Sequence, residues 1–440
     1  MVNGQALINQ VQAIERHFDQ MQWWSPEKIL EYQLQKIDHI LQFAARTVPF
    51  YRNRLAKFDS IIKGPLTLAE FQKIPILTRT DIQQHGPNLI TTNLPPGHGG
   101  MFDVVTSGST GNPIKVKGTS FTGIHLHAFT LRGHLWHKRD FKAKNVIIKS
   151  MKDKTLVKRY GSWAIGQETG QAIEIDVTLP VNRLFDMVIE IDPEYLHVHP
   201  TTLRGMIKLS IEQSIKLEAL REVRTQGEVA DDDLRELCMQ KWNVPIVDMY
   251  STEEFNTITH QCPDHQHGHV LADNVLVEIL DEDGMPCKPG EVGRVIVTSL
   301  TNYATPLIRC DLKDYAEVGE KCPCGRGLLV LKHIVGRSRN MITLPSGEQF
   351  CPIFATGSTL ADLPIIQHRL VQTGLNDIEA RLVVERELSE DEKEQLRDYF
   401  IHTFNHAFNF PIVYVDELPR GANGKYEFFI SEIRDNSDGN

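Results

Sequence analysis

No apolar run in this 440-residue chain is long enough to cross a bilayer: the roughly 18 uninterrupted apolar residues of a spanning helix are never reached. The chain also lacks a basic balance. Lys and Arg number 47 against 57 Asp and Glu, a formal charge of −10, so there is no overall positive field to hold a nucleic-acid backbone or an anionic membrane. Neither partner is expected, and any anionic ligand has to be met locally. The first twenty residues, MVNGQALINQVQAIERHFDQ, show no basic cap followed by an apolar stretch, so no signal or transit peptide is expected. Cysteine is sparse and odd in number, at seven, which makes no disulfide framework. A reducing, cytoplasmic setting follows as the expectation.

What is present suits a large core. Hydrophobic residues make up 41% and charged residues 24%, the proportions of a globular protein, and the length predicts a large domain plus a smaller one. Residues 1–60 place apolar groups at helical spacing, as in Ile29, Leu30, Tyr32, Leu34 and Ile37, and read as a helical lead-in ending near Val48-Pro49-Phe50-Tyr51. From about 100 to 335, β-branched runs such as Val146-Ile147-Ile148, Ile246-Val247 and Val295-Ile296-Val297 alternate with helical stretches. That alternation predicts an α/β body of β-sheets flanked by helices. After Gly336-Arg337 the pattern becomes a strand at 378–384, a charged helix from 389 to about 408 and a strand at 412–415. The reading is a body over 1–336 and a small α+β unit over 337–440, with a hinge near 336–342.

The strongest local signal is Thr106-Ser107-Gly108-Ser109-Thr110-Gly111-Asn112-Pro113-Ile114-Lys115, which leaves the apolar pair Val104-Val105. Glycines let backbone N–H groups turn inward, hydroxyls add donors and Lys115 adds a point charge, all of which suit phosphate. The Walker spacing is absent, and Gly/Ser/Thr clusters are commonly plain surface linkers. The loop's neighbours in the sequence decide between these.

The loop resembles the phosphate loop of the adenylate-forming superfamily, which includes acyl-CoA synthetases, luciferases and peptide-synthetase adenylation domains. Further matches follow in order. Gly227-Glu228 resembles the adenine-contacting turn; Asp248-Met249-Tyr250-Ser251-Thr252-Glu253-Glu254 resembles the Tyr-Gly-x-Thr-Glu segment; Pro306-Leu307-Ile308-Arg309 with Asp314 resembles the ribose-holding segment. Gly336-Arg337 resembles the linker to a mobile C-terminal domain, and Pro419-Arg420-Gly421-Ala422-Asn423-Gly424-Lys425 the motif with the catalytic lysine. Within the superfamily, Val48-Pro49-Phe50-Tyr51-Arg52, Leu77-Thr78-Arg79-Thr80-Asp81 and Cys322-Pro323-Cys324-Gly325-Arg326 resemble the phenylacetate–CoA ligase and coenzyme F390 synthetase group.

The resemblance implies an AMP-forming ligase that joins a carboxylic acid to ATP with Mg²⁺ and hands the acyl group to CoA or an amine; a homodimer is compatible with it. Implied alternatives are AMP transfer to a hydroxyl and a binding protein that has kept the fold. Lys425, Arg337 and one of Glu253 and Glu254 form the implied catalytic set, the Glu holding Mg²⁺. Thr106 to Gly111, Lys115, Gly227, Glu228, Tyr250, Ser251, Thr252 and Asp314 form the implied nucleotide site. The acyl pocket is implied near residues 125–137, His199-Pro200-Thr201 and the Tyr250 segment. Departures stand at Ser251, Cys310 and Lys313, and at Arg339-Asn340, where the family carries acidic residues at its hinge.

Cys322-Pro323-Cys324-Gly325 has the tight turn of a metal knuckle, and Cys262-Pro263-Asp264-His265-Gln266-His267-Gly268-His269 is a second such cluster. Three thiolates and one histidine make a closed tetrahedral set for a structural Zn²⁺. His265 is the expected fourth ligand beside Cys262, Cys322 and Cys324, with His267 and His269 as alternatives.

Overall fold

Ser25 begins the second helix because its hydroxyl accepts from Lys28 N at 3.3 Å and Pro26 takes the first helical position, where a missing N–H costs nothing. The resulting helix, Pro26–Thr47, buries Ile29, Gln33, Ile37, Ile40, Leu41 and Ala44 along one stripe. Gln33 then ties it to the body, donating to the carbonyls of Ala272 and Val275 at 2.9 Å each. With Gly4–Met21 before it and Pro49–Arg54 after it, the expected helical lead-in is present. The chain is described here from a computed structural model over residues 4–56, 66–105, 114–151, 155–337, 342–346, 349–350, 363–404, 406–418 and 428–433, with only the backbone of 337, 349, 350 and 403.

A short antiparallel hairpin, β1 (Met101–Val105) and β2 (Lys115–Thr119), precedes a twelve-stranded sheet. Its strands are β3 (Asn145–Lys149), β4 (Val157–Tyr160), β5 (Ala172–Asp176), β6 (Tyr195–Val198), β7 (Glu222–Gln226), β8 (Ile246–Thr252), β9 (Asn256–Gln261), β10 (Gly268–Val270), β11 (Val275–Leu280), β12 (Val292–Ser299), β13 (Cys310–Val318) and β14 (Val330–Arg337). They run in the order β11-β12-β13-β14-β10-β9-β8-β7-β6-β3-β5-β4. The five strands β8, β7, β6, β3 and β5 are parallel, and the others join antiparallel. Helices Val181–Ile191, Pro200–Glu212 and Asp232–Trp242 make the crossovers, as parallel pairing requires.

The parallel part is two-faced. Val146, Ile148, Ile173, Ile175, Leu196, Val198 and Val223 point into one core with Leu184, Phe185, Leu203, Met206, Leu234 and Trp242 of the crossover helices. By the period-2 alternation of a strand, Glu174, His197, Glu222 and Arg224 lie on the opposite face.

After a two-stranded pair, β15 (Ile342–Thr343) and β16 (Gln349–Phe350), the C-terminal segment forms its own four-stranded sheet, β19-β18-β17-β20, from β17 (Ile365–Gly374), β18 (Asp377–Val384), β19 (Ile412–Tyr414) and β20 (Phe429–Ser431). Helix Glu390–Phe404 covers it, and Leu370, Ile378, Leu382, Leu396, Phe400 and Phe429 share a core. Ser389 starts that helix reciprocally with Glu392: Glu392 N donates to Ser389 Oγ at 3.3 Å and Ser389 N to the Glu392 carboxylate at 2.8 Å, a capping box in form. The two strands and the helix expected there are present, the helix ending nearer 404 than 408.

Candidate active site

Two of the implied nucleotide segments meet, on β8 and β13. Tyr250, near the end of β8, donates its hydroxyl to Asp314 Oδ2 at 2.6 Å, so the Tyr250 and Asp314 motifs touch although 64 residues apart in sequence. Asp314 is buried on β13 and lies in register with Arg337 of β14. The intervening Pro306–Arg309 segment is locked by its arginine. Arg309 gives Glu278 two hydrogen bonds, Nε at 3.0 Å and Nη2 at 3.1 Å, and gives Nη1 to the Ile74 carbonyl at 2.6 Å and to the Gln72 carbonyl. That arginine is therefore a clamp between the segment at Gln72–Ile74 and the sheet.

Ser251 and Thr252 close β8, and the chain turns at 253–255 into β9, with Thr252 opposite Asn256. Glu253 projects outward, whereas Glu254 is half-buried. The Cys310 thiol is held well above its usual range by burial first and then by the charge of Glu254. Gly227 follows β7 at φ +81°, a left-handed conformation that glycine adopts without strain. Glu228 then accepts from Thr201 N at 2.9 Å and Thr201 Oγ1 at 3.1 Å. It places a carboxylate at the start of the Pro200–Glu212 helix, where negative charge is favoured.

The phosphate-loop residues Thr106 to Gly111 lie outside the described residues, as do Lys425, Arg339 and Asn340, and of Arg337 only the backbone is described. The strands flanking the loop are placed: Val105 pairs with Lys115 across the hairpin, and Lys115 is exposed. The hairpin is fastened to the Pro306 segment, because Lys117 N donates to Thr305 Oγ1 at 2.9 Å and Asn302 Nδ2 to the Lys117 carbonyl at 3.0 Å.

The cysteine clusters meet, with one correction. Cys262, Cys322, Cys324 and His269 bring their ligand atoms within 4.8 Å of one another; the histidine is His269, not the expected His265. Antiparallel pairing of β9 and β10 sets His269 opposite His260 and returns it fully buried beside Cys262. His265 is exposed at the tip of the connection, its ring stacked on His267. Cys262 Sγ and Cys322 Sγ are 3.8 Å apart, and Cys324 Sγ is 3.4 Å from His269 Nε2. A tetrahedral ion with bonds of about 2.3 Å to sulfur separates two thiolates by about 3.8 Å, so the donor set and its spacing fit Zn²⁺. Burial, followed by the neighbouring charges of His267 and Arg326, lowers His269 to about 3. Its imidazole is thus neutral, the form that ligates.

Sequence reasoning passed over the polar face of the parallel strands. His197 on β6 lies directly opposite Arg224 on β7. Around them, Arg139 donates to Glu222 at 2.7 Å and to the Gly133 carbonyl at 2.7 Å, and lies 3.2 Å from His134 Nδ1. Trp163 sits edge-on to His134 at 4.8 Å. Strands buried on both faces read as continuous apolar runs. The alternation in Tyr195-Leu196-His197-Val198 and Glu222-Val223-Arg224 was the available signal.

Comparison with known proteins finds similarity in sequence and in fold. The CapK C-terminal domain family matches residues 357–432. The phenylacetate–coenzyme A ligase of Thermus thermophilus is 23% identical over 397 residues, 84% of this chain and 81% of that protein. The enzyme of the same name from Escherichia coli is 23% identical over 353 residues, 74% of this chain and 75% of that protein. Among solved structures, 2-hydroxyisobutyryl-CoA ligase in its postadenylation state superposes with a TM-score of 0.76 at 16% identity, over 94% of this chain and 92% of that one. The chain is thus similar in sequence to phenylacetate–coenzyme A ligases and shares its fold with 2-hydroxyisobutyryl-CoA ligase.

Proposed function

We propose that the protein activates a carboxylic acid with ATP, forming an acyl-adenylate and pyrophosphate, and transfers the acyl group to CoA. The observation that carries this reading is the 2.6 Å hydrogen bond joining Tyr250 to Asp314, which supports it by bringing two of the implied nucleotide motifs together in a fold shared with acyl-CoA ligases.

In the first step a carboxylate oxygen attacks the α-phosphorus and the bond to the pyrophosphate oxygen breaks. The attack brings two anions together, so catalysis is positioning and charge neutralisation. Asp314, its orientation fixed by Tyr250, has lone pairs for the ribose hydroxyls. Thr106 to Gly111 and Lys115 supply donors to the phosphates. Glu254, the half-buried member of its pair, is assigned to Mg²⁺, which when bound neutralises phosphate charge. Lys425 brings the cation to the reacting phosphate, and Arg337 lies at the proposed hinge between a 1–336 body and a 337–440 unit. Cys262, Cys322, Cys324 and His269 would hold a structural Zn²⁺ that staples the β9–β10 turn to the β13–β14 connection, in a cytoplasmic setting that keeps the thiols reduced.

Acid-dependent ATP–pyrophosphate exchange tests the reading. Lys425→Ala is expected to lower the exchange rate by at least about 100-fold, the scale of a transition-state charge contact. Exchange that persists at the wild-type rate in that variant refutes the assignment.

A further inference from the structure

Among the described residues, the polar face of the parallel strands carries a buried cation with no ion-pair partner. Two ion pairs lie on it, Lys149 with Glu174 at 2.5 Å and Arg139 with Glu222 at 2.7 Å, and buried Asp176 accepts from the backbone N–H groups of Met151 and Thr178. Arg224 is 9% exposed and, among the described residues, has no carboxylate within 4 Å and no side-chain hydrogen bond. Glu222, the acid beside it, is already engaged by Arg139 through two nitrogens. Opposite Arg224 on the neighbouring strand, His197 is 8% exposed and its Nε2 also has no partner. Two unpartnered polar groups, each more than nine-tenths buried, thus face the same way from adjacent strands.

Their position matters. They sit toward the carboxyl ends of parallel strands, where open α/β sheets bind ligands. Arg224 is three residues before Gly227, and His197 is two before His199, so both abut the turns assigned to nucleotide and acyl group. Buried arginines are retained for planar, bidentate contact with carboxylate or phosphate. Burial, and then the like charge of Arg139, pulls the Arg224 guanidinium down to about 9, with Glu222 opposing. It is still a cation at neutral pH, and burial keeps His197 neutral and able to donate or accept one hydrogen bond.

Building on the adenylation reading, we infer that Arg224 is the counter-ion for a second anionic group on the acid, with His197 bonding that group, so that the substrate is a small dicarboxylic acid. One carboxylate reacts at the α-phosphorus while the other is held on β6 and β7. A monoacid leaves Arg224 buried and unpaired, which selects against it.

The experiment measures ATP–pyrophosphate exchange with succinate, glutarate and homophthalate against butyrate and phenylacetate, with direct calorimetric titration of the same acids. The wild type is expected to favour a diacid over its monoacid counterpart by about 100-fold or more in kcat/KM, the scale set by leaving a buried polar group unmatched. Arg224→Met should erase that preference, and Arg224→Lys should keep part of it. Because Arg224→Met removes an unpaired charge, its melting temperature should equal or exceed that of the wild type. A wild type that uses monoacids as well as diacids, an Arg224→Met that slows both classes equally, or one that melts lower while keeping the diacid preference overturns the inference. The two readings fail separately. Diacid binding that Arg224→Met abolishes, without exchange for any acid, sinks adenylation and keeps the charge recognition; exchange driven equally by monoacids does the reverse.

Discussion

Two buried guanidiniums divide the twelve-stranded sheet. In the antiparallel half, Arg309 is surrounded: Glu278 takes it bidentately, and the carbonyls of Gln72 and Ile74 take what remains. In the parallel half, Arg224 is also buried, with no such partners among the described residues. A buried charge that is fully paired fastens pieces of chain together, whereas one left open stores a preference for whatever anion arrives. The same residue type therefore acts as a clamp in one region and as a recognition group in the other.

The largest effect expected is at the clamp. Arg309→Met leaves Glu278 buried and unpaired, and should cost about 3–5 kcal/mol of stability, read as a lower urea midpoint at unchanged slope. Arg224→Met should cost nothing by the same measurement; equal losses at the two sites would erase the contrast. An intermediate effect is expected at the thiol cluster. Zinc bound in one equivalent per chain should be lost in Cys322→Ser, with a lower melting temperature, and a chelator should reproduce the shift only in the wild type. Metal analysis finding no zinc in the purified wild type removes that staple.

The smallest effect concerns Asp248, where burial, opposed by Arg235 and Thr225, raises the carboxyl from 3.8 to about 6. A carboxyl with a raised folded pKa binds its proton more tightly when folded, so stability falls as pH rises from about 4 to 6 and levels off above. With 27% of the side chain still meeting water, the penalty is on the order of 1 kcal/mol. Asp248→Asn should flatten that part of the pH–stability curve while keeping an acceptor for Thr225, whose Oγ1 donates to Asp248 Oδ1 at 2.6 Å. An unchanged slope in the variant assigns the proton elsewhere.

Much of the architecture was legible because it depends on local pattern. The stripe at Ile29 and Ile37, the strand at 378–384 and the charged helix from 389 follow from period alone. The order of the implied nucleotide motifs was legible too, but the hydrogen bond between Tyr250 and Asp314 joins strands distant in sequence and was not. The fourth member of the thiol cluster was less so. Spacing allowed His265, His267 or His269, and the choice fell to the β9–β10 register, which buries one and leaves another at a loop tip.

The sequence by itself determined the fold class, the cysteine set and the chain order of the implied adenylation site, since these rest on residue type, period and order along the chain. Only the tertiary structure decided which histidine joins the thiols, that Arg309 is a clamp, and that Arg224 is buried without a counter-ion among the described residues. A pairing across a sheet depends on register between segments distant in sequence, and an unpaired charge is a property of everything around it rather than of the residue.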